Sequence, residues 1–322
     1  MRYAQLIILV TLAAFAVSST VAAVCIALSW PRLASTVADL ASVPRARLIF
    51  LLRVSPTLVG LFAGGMAVLA FVRHEPLSTA EIPGWILLTA AAVGAALFFS
   101  GVWRVIVRCW STYGFLRTVE RTATPVNVPT AGLPMWQLDT TFPLVALAGI
   151  WRPRLLIARC VLEQVPADEL QMVLRHELAH ARQHDNVARL LLTGLPDVLT
   201  LAERRLGIER AWSEAAEDAA DDLATGDDAA ARVSLASALV RVAKMVGRQS
   251  APKVPLLAFH RGESVERRVR RLVDVAAPRS HAPSPLVRFT TVPLVVGALL
   301  LLSPTALRLV HHALEWLVIA RP

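Results

Sequence analysis

Four stretches of this chain are apolar, nearly free of charge inside, and close to or above the roughly 20 residues that a helix needs to cross a bilayer. They cover residues 6–30, 54–72, 85–107 and 289–307. No soluble fold of this length can bury them all, since hydrophobic residues make up 55% of the 322 positions and the mean hydropathy is +0.55. Lipid must be part of the solvent. The first stretch follows Arg2 and contains small residues, as a secretory leader does. It is longer than the roughly 7–15 apolar residues of a leader's core, so a retained helix is expected.

The net charge of +9 would suit an acidic partner such as nucleic acid, but its distribution does not. Residues 111–285 carry 22 Arg or Lys against 20 Asp or Glu, a surplus of two, so the other seven positive charges surround the apolar stretches. Direct nucleic-acid binding is therefore not expected, and membrane lipid is. Arg32, Arg45 and Arg47 lie between the first two stretches, and Arg104, Arg108, Arg117 and Arg121 end or follow the third. The positive-inside rule makes the face they share cytoplasmic, with the N-terminus outside and the large polar region inside, as in a multi-pass protein of a cell's inner membrane. Arg53 and Arg104 lie near span ends, where they are expected to snorkel. The cysteines Cys25, Cys109 and Cys160 fit neither a disulfide framework nor a Cys-rich zinc site.

The expected organisation is a three-helix transmembrane region (residues 1–110), a linker (111–135), a folded domain (136–285), and a fourth transmembrane helix with a short tail (286–322). Pro125, Pro129, Gly132 and Pro134 punctuate the linker. Residues 142–150 and 155–157, flanked by Pro143 and Trp151-Arg152-Pro153-Arg154, read as a small sheet or hairpin. Pro166, with Asp168 and Glu169 behind it, predicts a helix from there to about residue 192. Further helices are expected over residues 199–224 and 229–246. A short basic amphipathic helix around residues 265–273 would touch anionic headgroups or pack on the domain.

Within the helix predicted from Pro166 stands His176-Glu177-Leu178-Ala179-His180. Residues four apart share a helical face, so both imidazoles can reach one metal ion while Glu177 reaches a water in the open coordination position. Zinc acidifies that water and polarises a peptide carbonyl; Glu177, as base, accepts the proton and passes it to the leaving amine. A catalytic zinc normally has a third protein ligand. Gln183 and Asn186 stand where a metzincin has Gly and His, which excludes that class. His184 reads as a residue beside the site or on the surface. An acidic, alanine-rich stretch at residues 212–222 offers two ligand pairs: Glu217 with Asp221 one turn on, the latter accepting a hydrogen bond from a ligand imidazole, or Glu214 with Asp218. Asp222 and Asp227 read as a solvated acidic face. Tyr113 and His260 qualify as oxyanion partners by residue type only.

These residues resemble the membrane metallopeptidases of the BlaR/MecR type, antirepressors of β-lactam resistance systems. The resemblance extends to residues 149–157 (GIWRPRLLI), to ELQMVLRHELAHARQHDN from Glu169, to the late acidic-alanine helix and to Glu266-Arg267-Arg268-Val269. It implies a mostly α membrane protein with four transmembrane helices and a cytoplasmic α+β zincin-like domain inserted between the third and fourth. It implies a single zinc ion, Glu217 as third ligand, and a protein substrate such as a transcriptional repressor. The extracellular penicillin-binding sensor of the best-known members is not expected here, and Ala220 replaces the Cys often found before the late Asp. A quality-control or prenyl-protein-processing peptidase is the nearest alternative. A non-enzymatic signalling or assembly protein with a structural metal is the alternative of another class.

Overall fold

The computed structural model describes residues 3–74, 83–126, 133–246 and 262–274. The expected fourth span, residues 289–307, and His260 lie outside the described residues. Among the described residues three helices are long and apolar enough to cross a membrane: α1 (Tyr3–Ala38), α2 (Ser42–His74) and α3 (Trp85–Thr122). At about 1.5 Å per residue each is about 50–57 Å long, well beyond the roughly 30 Å of a hydrocarbon core. The excess lies at one end, where α1 finishes, α2 begins and α3 finishes, and the polar domain packs there. Residues 111–122, expected to open a linker, instead continue α3. Inside the bundle a Cβ on Gly94 would collide with the carbonyl of Leu12, so only glycine permits this approach of α3 to α1.

The domain opens with a four-stranded sheet in the order β1-β2-β4-β3, made of β1 (Thr124–Val126), β2 (Met135–Leu138), β3 (Val145–Ala148) and β4 (Arg154–Ala158). The expected hairpin is β3–β4, antiparallel, with Gly149 at φ +100° in its turn. The two other strands were not foreseen, because each is only three or four residues long and borders the proline-rich segment. β4 is parallel to β2 and is the apolar, buried centre of the sheet, which leaves β3 as an edge.

Helices α4 (Arg159–Gln164) and α5 (Ala167–Gln183) follow, and Leu174 of α5 is buried in one cluster with Leu144, Leu155 and Ile157 of the sheet region. The helix predicted to reach residue 192 breaks at His184, whose φ of 58° is left-handed, and restarts as α6 (Asp185–Gly194). The helix expected over residues 199–224 is likewise two, α7 (Leu199–Leu206) and α8 (Ile208–Thr225), separated by left-handed Gly207. α9 (Ala229–Val246) has the expected bounds.

The basic helix, α10 (Gly262–Val273), packs on α8 and α9, so Arg267, Arg268 and Arg271 turn to protein, while Arg270 stays exposed and pairs with Glu266 of its own helix at 2.6 Å. Arg267 holds Asp218 at 2.8 and 2.9 Å, and Arg271 pairs with Asp222. Asp222, expected on a solvated face, also accepts the Ser42 hydroxyl at 2.6 Å.

Membrane helices and domain share one core. Ile26 and Trp30 of α1, Ile49 of α2, Leu192, Leu199 and the α8 residues Ile208 and Trp212 are buried together. α2 runs antiparallel to α8 along its length, with Ser42 on Asp222, Arg45 on Asp218, Phe50 on Trp212 and Arg53 on Glu209. Arg53 does not snorkel. It is wholly buried, grips Asp197 at 2.9 and 3.0 Å, and reaches Glu209 at 3.0 Å and Thr200 at 2.9 Å. Arg104 also turns to protein, donating at 2.8 Å to the carbonyls of Thr193 and Leu195 at the end of α6.

Candidate metal centre

α5 and α8 cross so that the faces carrying the two histidines and Glu217 oppose one another. The Nε2 atoms of His176 and His180 are 3.1 Å apart, and each is 3.4 Å from an oxygen of Glu217. Ligands placed tetrahedrally at about 2.0–2.1 Å around a zinc ion would stand about 3.3 Å from one another. The three groups could thus hold a metal ion, Glu217 presenting Oε2 to His176 and Oε1 to His180.

Each imidazole is oriented from behind. His176 Nδ1–H faces Asp221 Oδ1 at 2.9 Å, and His180 Nδ1–H faces Asp185 Oδ2 at 2.6 Å. A proton held on each Nδ1 leaves the Nε2 lone pairs directed at the shared centre. Asp185 escaped the sequence reading because an unbroken helix carries position i+5 away from His180; the left-handed His184 brings it back. The ring of His184 itself is exposed, with Nδ1 3.1 Å from the Arg182 carbonyl, and stands apart from the cluster.

Two guanidiniums complete the surroundings. Arg268 of α10 is buried, with Nη1 3.1 Å from Glu217 Oε2 and with Nε and Nη2 2.9 and 2.6 Å from Asp221. Its Nη2 is also 3.4 Å from both ring nitrogens of His176; a guanidinium can only donate, so with the proton on Nδ1 the acceptor open to it is Nε2. Arg189 of α6 approaches Glu217 Oε1 at 3.3 Å. Neither arginine was singled out for the site from sequence, where Arg268 was one of several in a basic run.

With neutral imidazoles, the four carboxylates Glu177, Asp185, Glu217 and Asp221 and the two guanidiniums of Arg189 and Arg268 sum to −2, which one divalent cation balances. The metal-free site offsets part of this charge with protons. Burial pushes the pKa of His180 down, but the charge of Glu217, the hydrogen bond to Asp185 and the charge of Glu177 outweigh it and raise it to about 10. His176 is also raised: burial and Arg268 oppose protonation, and the bonds to Asp221 and Glu217 prevail. Burial favours the neutral acid of Asp221, yet Arg268 and His176 hold its carboxyl well below the usual range.

The competing acids lie elsewhere. Glu214 pairs with Arg210 at 2.9 Å on the α8 surface, and Asp218 points to Arg45 and Arg267. Tyr113 is exposed on α3 under Arg117.

The cluster opens on a cavity of about 380 Å³ lined by His176, Glu177, His180, β3 and α9. Leu235, Leu239, Val242 and Val246, spaced four, three and four residues apart, form its apolar wall. On the other side, Leu144 O accepts the Ala158 N–H at 2.7 Å, so residues 144, 146 and 148 aim their main-chain groups at β4. Those of Val145 and Leu147 therefore point away from the sheet. Asn186 confirms the direction, donating to Leu147 O at 3.1 Å and to Gly149 O at 2.8 Å, and it fixes β3 against α6.

A sequence model of the family described as BlaR1 peptidase M56 matches residues 133–199. That stretch holds β2 to the start of α7, with both histidines, Glu177 and Asp185, and ends before Glu217, Asp221 and Arg268. No curated protein matches the chain. The match and the three apolar helices point to a BlaR1-like membrane metallopeptidase.

Proposed function

We propose that this chain is an integral-membrane zinc metalloendopeptidase whose ion is held by His176, His180 and Glu217. The observation that carries this reading is the spacing of three buried donors, two of them oriented by carboxylates, at the wall of a cavity that also holds Glu177. Bound there, zinc would act as a Lewis acid toward a peptide carbonyl and lower the pKa of water. Glu177, partly exposed at the cavity wall, takes the proton of the attacking water and delivers it to the amine as the peptide bond breaks. Asp185 and Asp221 keep the imidazoles in the required tautomer, while Arg268 and Arg189 hold the Glu217 carboxylate between them.

The substrate is an extended polypeptide. The outward main-chain groups of Val145 and the N–H of Leu147, whose carbonyl is taken by Asn186, can pair with an added strand, and the α9 wall accepts apolar side chains. A cytoplasmic protein, in particular a transcriptional repressor cleaved in response to a signal, suits the arginine-rich end of the bundle that bears the domain. A purely structural metal leaves Glu177 without a role at the cavity wall.

The test is cleavage of a candidate repressor, and of a proteome-derived peptide library, by the full chain in lipid nanodiscs with zinc. Glu177→Gln should keep its zinc and lose turnover by on the order of 10²–10⁴-fold. Undiminished cleavage by that variant would refute the assigned base, and zinc-loaded protein that cleaves nothing in the library would favour the non-enzymatic reading.

A further inference from the structure

Three contacts mark the level at which the bundle meets the domain. Trp30 Nε1 of α1 donates to Leu206 O at 2.9 Å, Arg53 of α2 reaches Thr200 at 2.9 Å, and Arg104 of α3 caps α6 at Thr193 and Leu195. All three fall at the ends of the apolar stretches, and the domain groups just named belong to one segment, residues 193–206, with Glu209 beyond it as a further partner of Arg53. This segment therefore lies at the edge of the bilayer, not out in the water below it.

α7 occupies the middle of the segment and has two unlike faces. Leu199 is buried against α1 and α2, and Glu203 turns inward to accept the Glu209 N–H at 2.8 Å. Leu201, Arg204 and Arg205, at i, i+3 and i+4, form the outward face, with Leu201 81% exposed. Among the described residues neither arginine has an ion-pair partner. Toward the same end of the bundle the spans keep exposed apolar residues, Leu28, 70% exposed, and Leu51, 53% exposed. One large apolar residue and two arginines, with the only acid of the helix turned away, is the composition of a face seated among anionic headgroups.

We propose that α7 is an interfacial helix that inserts Leu201 at the acyl boundary and binds the headgroups of anionic phospholipids through Arg204 and Arg205. This inference rests on the membrane reading of α1–α3 and not on peptidase activity. It gives the domain a second hold on the bilayer immediately before α8, the helix that carries Glu217.

The test uses the full chain, with its three cysteines replaced, in nanodiscs of phosphatidylcholine with or without phosphatidylglycerol. A nitroxide at position 201 should be relaxed by oxygen and protected from a water-soluble nickel chelate, as at position 28 and unlike position 233. Water-like behaviour at 201, or shielding from both reagents because another protein segment covers it, overturns the proposal. Retention of phosphatidylglycerol should fall about 25-fold in Arg204→Gln/Arg205→Gln, at about fivefold per arginine, and survive in Arg204→Lys/Arg205→Lys. Equal retention by the glutamine variant and the parent also overturns it.

Discussion

At the scale of single residues the account turns on how protons and carboxylates share the His176–His180 centre. Removing the acceptor behind one imidazole, in Asp185→Asn, should weaken zinc binding by about 10–100-fold with little loss of fold, measured by chelator competition. An unchanged affinity would show that Asp185 does not orient the ring. A second consequence follows from the His180 pKa of about 10 in the metal-free protein. The value is raised above the unfolded one, so the protonated form is favoured by folding. Its stabilising contribution is complete below about pH 6.5 and is lost as pH rises through about 10. Near pH 7 the ring carries a proton that zinc must displace, so uptake should release protons, detectable by calorimetry in buffers of different ionisation enthalpy. Binding without proton release would contradict the placement of His180. The meeting of His176 and His180 was legible because a four-residue spacing is enough to define one helical face. Asp185 and Arg268 were not, because one depends on a left-handed break and the other on a helix folded back from 47 residues beyond Asp221.

At the scale of elements, α2 and α8 form one antiparallel pair that fastens the ligand helix to the membrane bundle. Its deepest tie is the buried Arg53–Asp197 contact. Arg53→Leu leaves Asp197 buried without its cation and should cost about 3–5 kcal/mol, read as a lowered thermal midpoint in detergent. Arg53→Leu/Asp197→Leu should regain most of that loss; a double variant as unstable as the single one would contradict the pairing. Neither partner could be found from periodicity, because Arg53 stands just before an apolar stretch and reads as a snorkelling residue. The helix over residues 229–246 and the core of the one at 262–273, expected around residues 265–273, were legible from their apolar spacing. The divisions at His184 and Gly207 were not, since helical periodicity runs through both and only the backbone turn reveals them. The short strands β1 and β2 carry too few residues for alternation to register.

At the scale of the whole molecule, three apolar helices continue past the length a bilayer needs and become the platform on which the domain is built. The apolar stretches announced the membrane, and the charge distribution placed the domain at the arginine-rich end of the bundle. What they could not show is that bundle and domain share a core, because that core joins Ile26 and Ile49 to Trp212 across more than 160 residues of sequence. The resulting architecture brings α8 to α5 and so sets the third donor opposite the two histidines. The most direct test is the zinc content of the purified full chain, determined by elemental mass spectrometry beside Glu217→Ala and Glu214→Ala. One zinc per chain in the parent and in Glu214→Ala, with loss in Glu217→Ala, is the predicted result. Retention of zinc in Glu217→Ala with loss in Glu214→Ala would contradict the account.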